Sequence, residues 1–367
     1  MDTTVTSRAV DYRARLARVR TELTSEGWGA VLVLDATDIA YLTGLHSSNA
    51  ALVVTEGDAV IATDFRYITK AGAIPGATVY QVDQGLYLEL GRMLGEWSGG
   101  GAVAYSPVAL SHRAFLQLTE DLHSGTTLRA VEGIVDRLRR VKDGAEIEAI
   151  RNSAALLEEA YELVAATGLV GRRERDVAWE IERLLRDRGA EGMSFPSIVA
   201  AGTNGALPHH STGNDLIPAD TLVTIDIGCV LDGYCSDCTR TFATGPLDET
   251  LARIYEVTLA AQLKSLAAVR AGATGRDVDA IARDIIDEAG FGERFGHGLG
   301  HGVGLEVHEG PRLARTSSDV LEPGMIVTVE PGIYLPGIGG VRIEDLVVVT
   351  EGEPEVLTNY TKQLVQV

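Results

Sequence analysis

The strongest constraint in this 367-residue chain is an internal repeat. The segment ADTLVTIDIGCVLDG (219–233) aligns with PGMIVTVEPGIYLPG (323–337) at a constant offset of 104, without a gap. Val223 falls on Val327, Thr224 on Thr328, Gly228 on Gly332, Leu231 on Leu335 and Gly233 on Gly337. Asp226 falls on Glu330. Each copy reads as an apolar strand carrying one acid, then a turn. A second strand with a second acid follows each copy: GYCSDCTRTF carries Asp237, and GVRIEDLVVVT carries Glu344. The pattern predicts two related hairpins, the two halves of a duplicated unit.

Position within each hairpin predicts its register. A first turn centred between Leu231 and Asp232 sets Asp226 directly across from Asp237. A second turn centred on Gly337 sets Glu330 across from Glu344. Residues opposed in this way have Cβ atoms about 4.5–5.5 Å apart, and like charges there repel. A single strand acid usually faces water, but LVTIDIG and MIVTVEPG are apolar on both parities, as buried strands are. Buried carboxylates need cations or protons.

The stretch FGHGLGHGVGLEVHEG (295–310) holds three of the eight histidines, His297, His301 and His308. A helix is disfavoured, since each of its interior glycines costs about 1 kcal/mol there. A glycine-rich strand or loop lets backbone come close to something. Four carboxylates and one of these imidazoles form a ligand set for two divalent ions about 3.5–4 Å apart. The oxygen-rich donors favour a hard ion, Mn²⁺ first, with Co²⁺ or Zn²⁺ as alternatives. The remaining histidines are then left for substrate or an oxyanion, and the glycines are expected to let the backbone pass close to the metals.

The first third alternates short β runs (30–35, 50–55, 59–64, 77–82, 101–106) with helical patterns (8–26, 85–97, 107–123), which predicts an α/β layer. A boundary falls near RLRRVKD (137–143), separating domains at 1–137 and 143–367. Asp143 and Glu146 form a capping-box pattern at the head of a helix running to about Thr167. Further helices are expected at 174–188, 248–270 and 275–289, and the second domain reads as α+β. The net charge of -20 disfavours nucleic acid and anionic membranes as partners. No apolar run of about 18 residues suggests a membrane span, and the N-terminus lacks a signal-peptide core. Three cysteines, Cys229, Cys235 and Cys238, give no disulfide framework and fit a reducing cytoplasm. Cys235 and Cys238, three apart on a predicted strand, should point to opposite faces, against a redox or zinc motif.

Taken together, IDIG with an acid eleven residues on, GHGVGLEVHE, VEPGIY and GVRIEDLVVVT resemble the M24 metallopeptidases of the pita-bread fold: methionine aminopeptidase, aminopeptidase P and prolidase. The first ~135 residues, with IAYLTGL and TDFRY, are similar to the creatinase-type N-terminal domain of the aminopeptidase P and prolidase branch. The resemblance implies an α/β creatinase-like domain followed by an α+β pita-bread domain with a pseudo-two-fold repeat. It implies dinuclear metal ligands at Asp226, Asp237, His301, Glu330 and Glu344, with Glu330 also shuttling a proton. It places His308, His297 and His209 at the substrate, with His210 one residue on leaving the register open by one. Arg342 resembles an arginine that neutralises excess carboxylate, and Arg312 one that lies near a dipeptide's free carboxylate. The implied activity is that of a cytoplasmic, homodimeric Xaa-Pro aminopeptidase acting on peptides with proline second. Xaa-Pro dipeptidase is the alternative; metal-independent creatinase-type or ectoine-type hydrolysis and a non-catalytic binding module rank below both.

Overall fold

A computed structural model describes residues 10–367. The chain divides into two compact units between Arg139 and Arg140. The first is built on a six-stranded sheet of β1 (Ala30–Val33), β2 (Ala50–Val54), β3 (Ala59–Thr63), β4 (Thr78–Gln81), β5 (Ala102–Tyr105) and β6 (Thr127–Ala130). Their spatial order is β4-β3-β2-β1-β5-β6. β1, β2 and β3 pair antiparallel, while the outer pairs are parallel. Strands β1, β2 and β3 are buried along their whole length, which is why they read as continuous apolar runs. Helices Tyr12–Glu26, Leu86–Trp97 and His112–Glu120 stand in the expected places; the portion of the first helical pattern before residue 10 lies outside the described residues.

A short helix, Ala36–Thr43, was not expected from the sequence. It has clear local signals: the Asp35 side chain accepts from the Thr37 and Asp38 amides, and Gly44 closes it at φ 74°. N-cap aspartate and C-terminal glycine are the usual punctuation of a helix this short.

The second unit opens with the capping box. Asp143 accepts from the Glu146 amide, the Glu146 carboxylate returns to the Asp143 amide, and the helix Gly144–Thr167 follows. The duplication extends well beyond the matched segment. Gly144–Thr167 and Glu174–Asp187 bury Leu157, Tyr161, Val177 and Ile181 against Val223, Ile225 and Ile227 of the first hairpin. Glu249–Leu266 and Gly275–Glu288 bury Ile254, Ala261, Val278 and Ile286 against Val327, Val329 and Ile333 of the second. Each hairpin thus has its own helix pair, and each also gains a third antiparallel strand, Ile198–Ala201 on the first and Gly300–Gly302 on the second.

The second hairpin has the expected register. Gly332 faces Arg342 and Leu335 faces Gly339 on one side of the acids, and Val329 faces Asp345 on the other, so Glu330 and Glu344 are opposed. The first hairpin differs. Leu231 faces Tyr234, and Thr239, not Asp237, faces Asp226. The turn is Asp232–Gly233, at φ 50° and 77°. Positive φ at both central residues is the type I′ requirement, and Asp-Gly is among its preferred dipeptides, so the turn sits one residue later than expected. The partner shift is two residues, which preserves the face each side chain takes.

The return strands of the two hairpins lie against each other. The Glu344 amide donates to the Thr239 carbonyl at 3.1 Å, and the Thr241 hydroxyl donates to the Arg342 carbonyl at 2.9 Å. No helix among the described residues is long and apolar enough to cross a membrane.

Candidate metal centre

The hairpins carry their acids into one pocket of about 820 Å³ in the second unit. Its lining includes Asp226, Asp237, His301, Glu330 and Glu344. Asp237, His301 and Glu344 each offer one donor atom, all within 4.8 Å of one another. Glu330 lies outside that tight trio but touches it, with Oε1 3.4 Å from His301 Nε2. Asp237 Oδ2 is 3.7 Å from the same nitrogen.

The imidazole is oriented by the backbone. His301 Nδ1 lies 3.1 Å from the Gly302 carbonyl, which can only accept, so Nδ1 carries the proton and Nε2 presents its lone pair to the acids. The His301 amide donates to the Thr328 hydroxyl at 3.1 Å. Glycine on either side makes this possible. A Cβ on Gly300 would stand 2.0 Å from the Thr328 carbonyl oxygen, and one on Gly302 2.1 Å from the Gly310 carbonyl oxygen. The glycines therefore let this strand press against its neighbours, and Gly298 and Gly300 also line the pocket that holds the acids.

The charges are unbalanced. Burial, followed by repulsion from Glu344, Asp226 and Glu330, pushes the Asp237 carboxyl well above its ordinary range. Burial, then Glu330 and Asp226, does the same to Glu344. Glu330 is pushed up to about 8, chiefly by burial, with Arg342 pulling the other way. Burial, then His308, lowers His301 to about 4. Two carboxylate oxygens, Asp226 Oδ1 and Glu344 Oε1, are buried without a hydrogen-bond partner among the described residues. Buried polar atoms are almost always satisfied. Clustered acids, a neutral imidazole with its lone pair turned inward and two orphaned oxygens all fit divalent cations, and the carboxylate majority fits hard ones.

The other oxygen of each orphaned acid is held by protein. Arg342, buried, donates from Nη2 to Asp226 Oδ2 at 2.6 Å. Its remaining donors reach Thr239 Oγ1 at 3.0 Å, Tyr334 Oη at 3.1 Å and the Pro208 carbonyl at 3.2 Å. The Thr239 hydroxyl in turn donates to Glu344 Oε2 at 2.7 Å. Thr239 and Tyr334 were not singled out in the sequence, because their partners lie far along the chain from Thr239 and across the turn from Tyr334.

The histidines take different positions. His297 lines the pocket, but its Nδ1 bonds the Gly298 carbonyl at 2.7 Å and its Nε2 the Tyr334 hydroxyl at 2.9 Å. Burial, then Arg342, lowers its pKa to about 4. The His308 ring lies 4.3 Å from that of His301, edge to face, and faces the open pocket. Burial, then Arg312 and His209, lowers its pKa. Of the adjacent pair, His209 is exposed in the pocket, whereas His210 is tied to the buried Glu174 at 2.8 Å. Arg312 faces His301 across the strand pair and lines the pocket, its guanidinium making no hydrogen bond or ion pair among the described residues. All three cysteines are free and buried. Burial raises each thiol, Cys235 to about 11, so none is primed as a nucleophile or thiolate ligand.

Residues 148–351 match the family model of metallopeptidase family M24, and residues 15–141 that of the creatinase/prolidase N-terminal domain. An uncharacterised peptidase of Bacillus subtilis is 36% identical over 364 residues, covering 96% of this chain and 99% of its own. A solved structure of an Xaa-Pro dipeptidase from Bacillus anthracis is 36% identical, with TM-score 0.92 over 97% of this chain and all of that one. An X-Pro aminopeptidase from Thermotoga maritima is 31% identical, with TM-score 0.84 over 93% of this chain and 98% of its own. With residues 148–351, more than half of the chain, inside the match and the creatinase-type domain ahead of it, the chain belongs to metallopeptidase family M24.

Proposed function

We propose that the protein is a dinuclear metallo-exopeptidase that cleaves the bond between an N-terminal residue and a following proline. The observation that carries this reading is the cluster of four acids, three of them buried, and one inward-facing imidazole at a pocket that also holds His209, His308 and Arg312. Asp226, Asp237, His301, Glu330 and Glu344 hold two divalent ions, with Mn²⁺ the preferred pair. When bound, the ions polarise the scissile carbonyl and make water a nucleophile near neutral pH.

The chain's own groups do the rest. Glu330 takes a proton from the attacking water and passes it to the departing proline nitrogen. His308 and His209 donate to the oxygen that gains negative charge. The peptide's free amino end sits among the acids. Arg342 holds Asp226 in place rather than touching substrate, because four of its five N–H donors are already engaged with protein.

Substrate length follows from Arg312. A guanidinium without an acidic partner at the pocket is suited to a carboxylate, which it grips with two parallel bonds. That favours Xaa-Pro dipeptides, the substrate class in the name of the Bacillus anthracis relative, over the longer peptides of an aminopeptidase P. The test is a panel of Xaa-Pro and Xaa-Pro-Xaa peptides with chelated and Mn²⁺-reloaded enzyme. Cleavage of Xaa-Pro that disappears on chelation and returns with Mn²⁺ is expected. Full activity after chelation, or no cleavage of any Xaa-Pro bond, would contradict the reading.

A further inference from the structure

The proposed reaction gives no role to Glu174, a fully buried acid next to the pocket-lining Arg175. It is the first residue of the helix Glu174–Asp187, and its side chain is 0% exposed. The carboxylate accepts from the Ala201 amide at 2.9 Å, from Asn204 Nδ2 at 3.0 Å and from His210 Nε2 at 2.8 Å. A ring nitrogen facing a carboxylate at that distance is the donor. The His210 side chain is itself only 10% exposed.

The segment Glu174 grips is irregular. Residues 207–215 contain neither helix nor strand, so individual ties set their path. Arg342 Nη1 holds the Pro208 carbonyl, the Thr212 hydroxyl bonds the Val199 amide at 2.8 Å and the Ser197 carbonyl at 2.9 Å, and Glu174 holds His210. Between two of these ties stands His209, exposed in the pocket. Anchoring His210 inward fixes the backbone on both sides of its own Cα, and with it the direction of the preceding side chain. A buried hydrogen bond adds only modest net stability, because both groups give up water to form it. What this pair does supply is one conformation of a segment that has no ladder to define it.

We infer that Glu174 and His210 are positioning residues that act on the reaction through His209, an inference that rests on the proposed contact between His209 and substrate. Removing the His210 tie takes the donor from Oε2 of the buried Glu174 carboxylate and lets His209 swing. A displacement of about 1 Å at a reacting group can cost on the order of a hundredfold in rate.

The experiment compares His210→Ala, His210→Gln, His209→Ala and the double His209→Ala/His210→Ala in full-length, Mn²⁺-loaded protein. Xaa-Pro hydrolysis, bound Mn²⁺ and amide exchange of residues 204–212 are measured for each. His210→Ala should lose about tenfold to a hundredfold in kcat/KM, mostly in kcat, with its metal intact. His210→Gln can still donate an amide N–H to Glu174 and should recover most of the loss. On the His209→Ala background, His210→Ala should add less than about twofold, since groups acting through one another are not additive. Exchange across 204–212 should accelerate in His210→Ala. A full additional loss in the double variant, loss of metal in His210→Ala, or unchanged exchange would overturn the inference. Absence of Xaa-Pro hydrolysis in the wild type would instead sink the proposed function, and the exchange measurement alone would then decide whether His210 holds this segment.

Discussion

Stripping the metal should invert the usual comfort of a protein at mild alkaline pH. In the metal-free enzyme, Glu330 titrates at about 8 because it is buried among acids, whereas in the unfolded chain a glutamate titrates near 4.3. Between those values the folded state holds a proton that the unfolded state has lost. Stability is therefore full below the unfolded value and falls as pH rises towards 8. His297 and His301 act in the opposite sense. Both are neutral when folded, with pKa near 4, so their contribution is lost as pH falls through 6.5 and is complete about a unit above it. Across pH 6.5 to 8 each lowered histidine, His308 included, gains no more than about 0.4 kcal/mol, so the acids dominate the window. At about 1.4 kcal/mol per pH unit per proton, Glu330 alone loses about 2 kcal/mol across it, and Asp237 and Glu344 push the same way. For a unit of this size that lowers Tm by about 4–8 °C. The assay is thermal unfolding at pH 6.5, 7.25 and 8 in chelator and in saturating Mn²⁺, with Glu330→Gln alongside. The metal-free wild type should fall with pH, the Mn²⁺-loaded protein should stay level because its acids are ionised throughout, and Glu330→Gln should lose its share of the fall. A metal-free Tm that is flat or rising across this window would refute the reasoning.

Other outcomes follow from single side chains. His301→Ala should lose metal, whereas His308→Ala should keep it and lose turnover; metal analysis and kcat read the two apart. Arg312→Ala should raise KM for Xaa-Pro dipeptides about tenfold or more, the worth of one charged hydrogen bond, and leave Xaa-Pro-Xaa tripeptides nearly unchanged. Gly300→Ala places a Cβ 2.0 Å from the Thr328 carbonyl oxygen; it should cost about 1–3 kcal/mol in denaturant unfolding and weaken Mn²⁺ binding by displacing His301.

Legibility in the sequence tracked the range of each interaction. The duplicated acids, the capping box at Asp143 and the register about Gly337 are local patterns, and the structure has all three. The register of the first hairpin was equally local and was misplaced, because the Asp232–Gly233 pair was passed over in favour of the midpoint one residue earlier. The helix Ala36–Thr43 was missed although Asp35 and Gly44 bracket it. The glycines of 298–304 read correctly as a close approach, but a composition cannot say what is approached; it is backbone at Gly298, Gly300 and Gly302 and the Glu309 side chain at Gly304. The hydrogen bonds that orient the acids were beyond reach for a different reason. Arg342 to Asp226 spans 116 residues and Thr239 to Glu344 spans 105. No periodicity encodes which threonine will meet which glutamate once two hairpins lie side by side. The same holds for the adjacent His209 and His210: the bond from His210 to Glu174 spans 36 residues, and two identical letters cannot say which of them makes it.

The central claim is that five side chains hold two ions and that turnover needs both. Titrating Mn²⁺ into chelated protein, with bound metal counted by mass spectrometry and Xaa-Pro cleavage followed in the same samples, tests it most directly. Two ions per chain are predicted, with binding abolished at one or both positions by His301→Ala and by Glu344→Gln, and cleavage rising only as the ions load. Full cleavage with no bound metal, or metal uptake unaffected by either substitution, would contradict it.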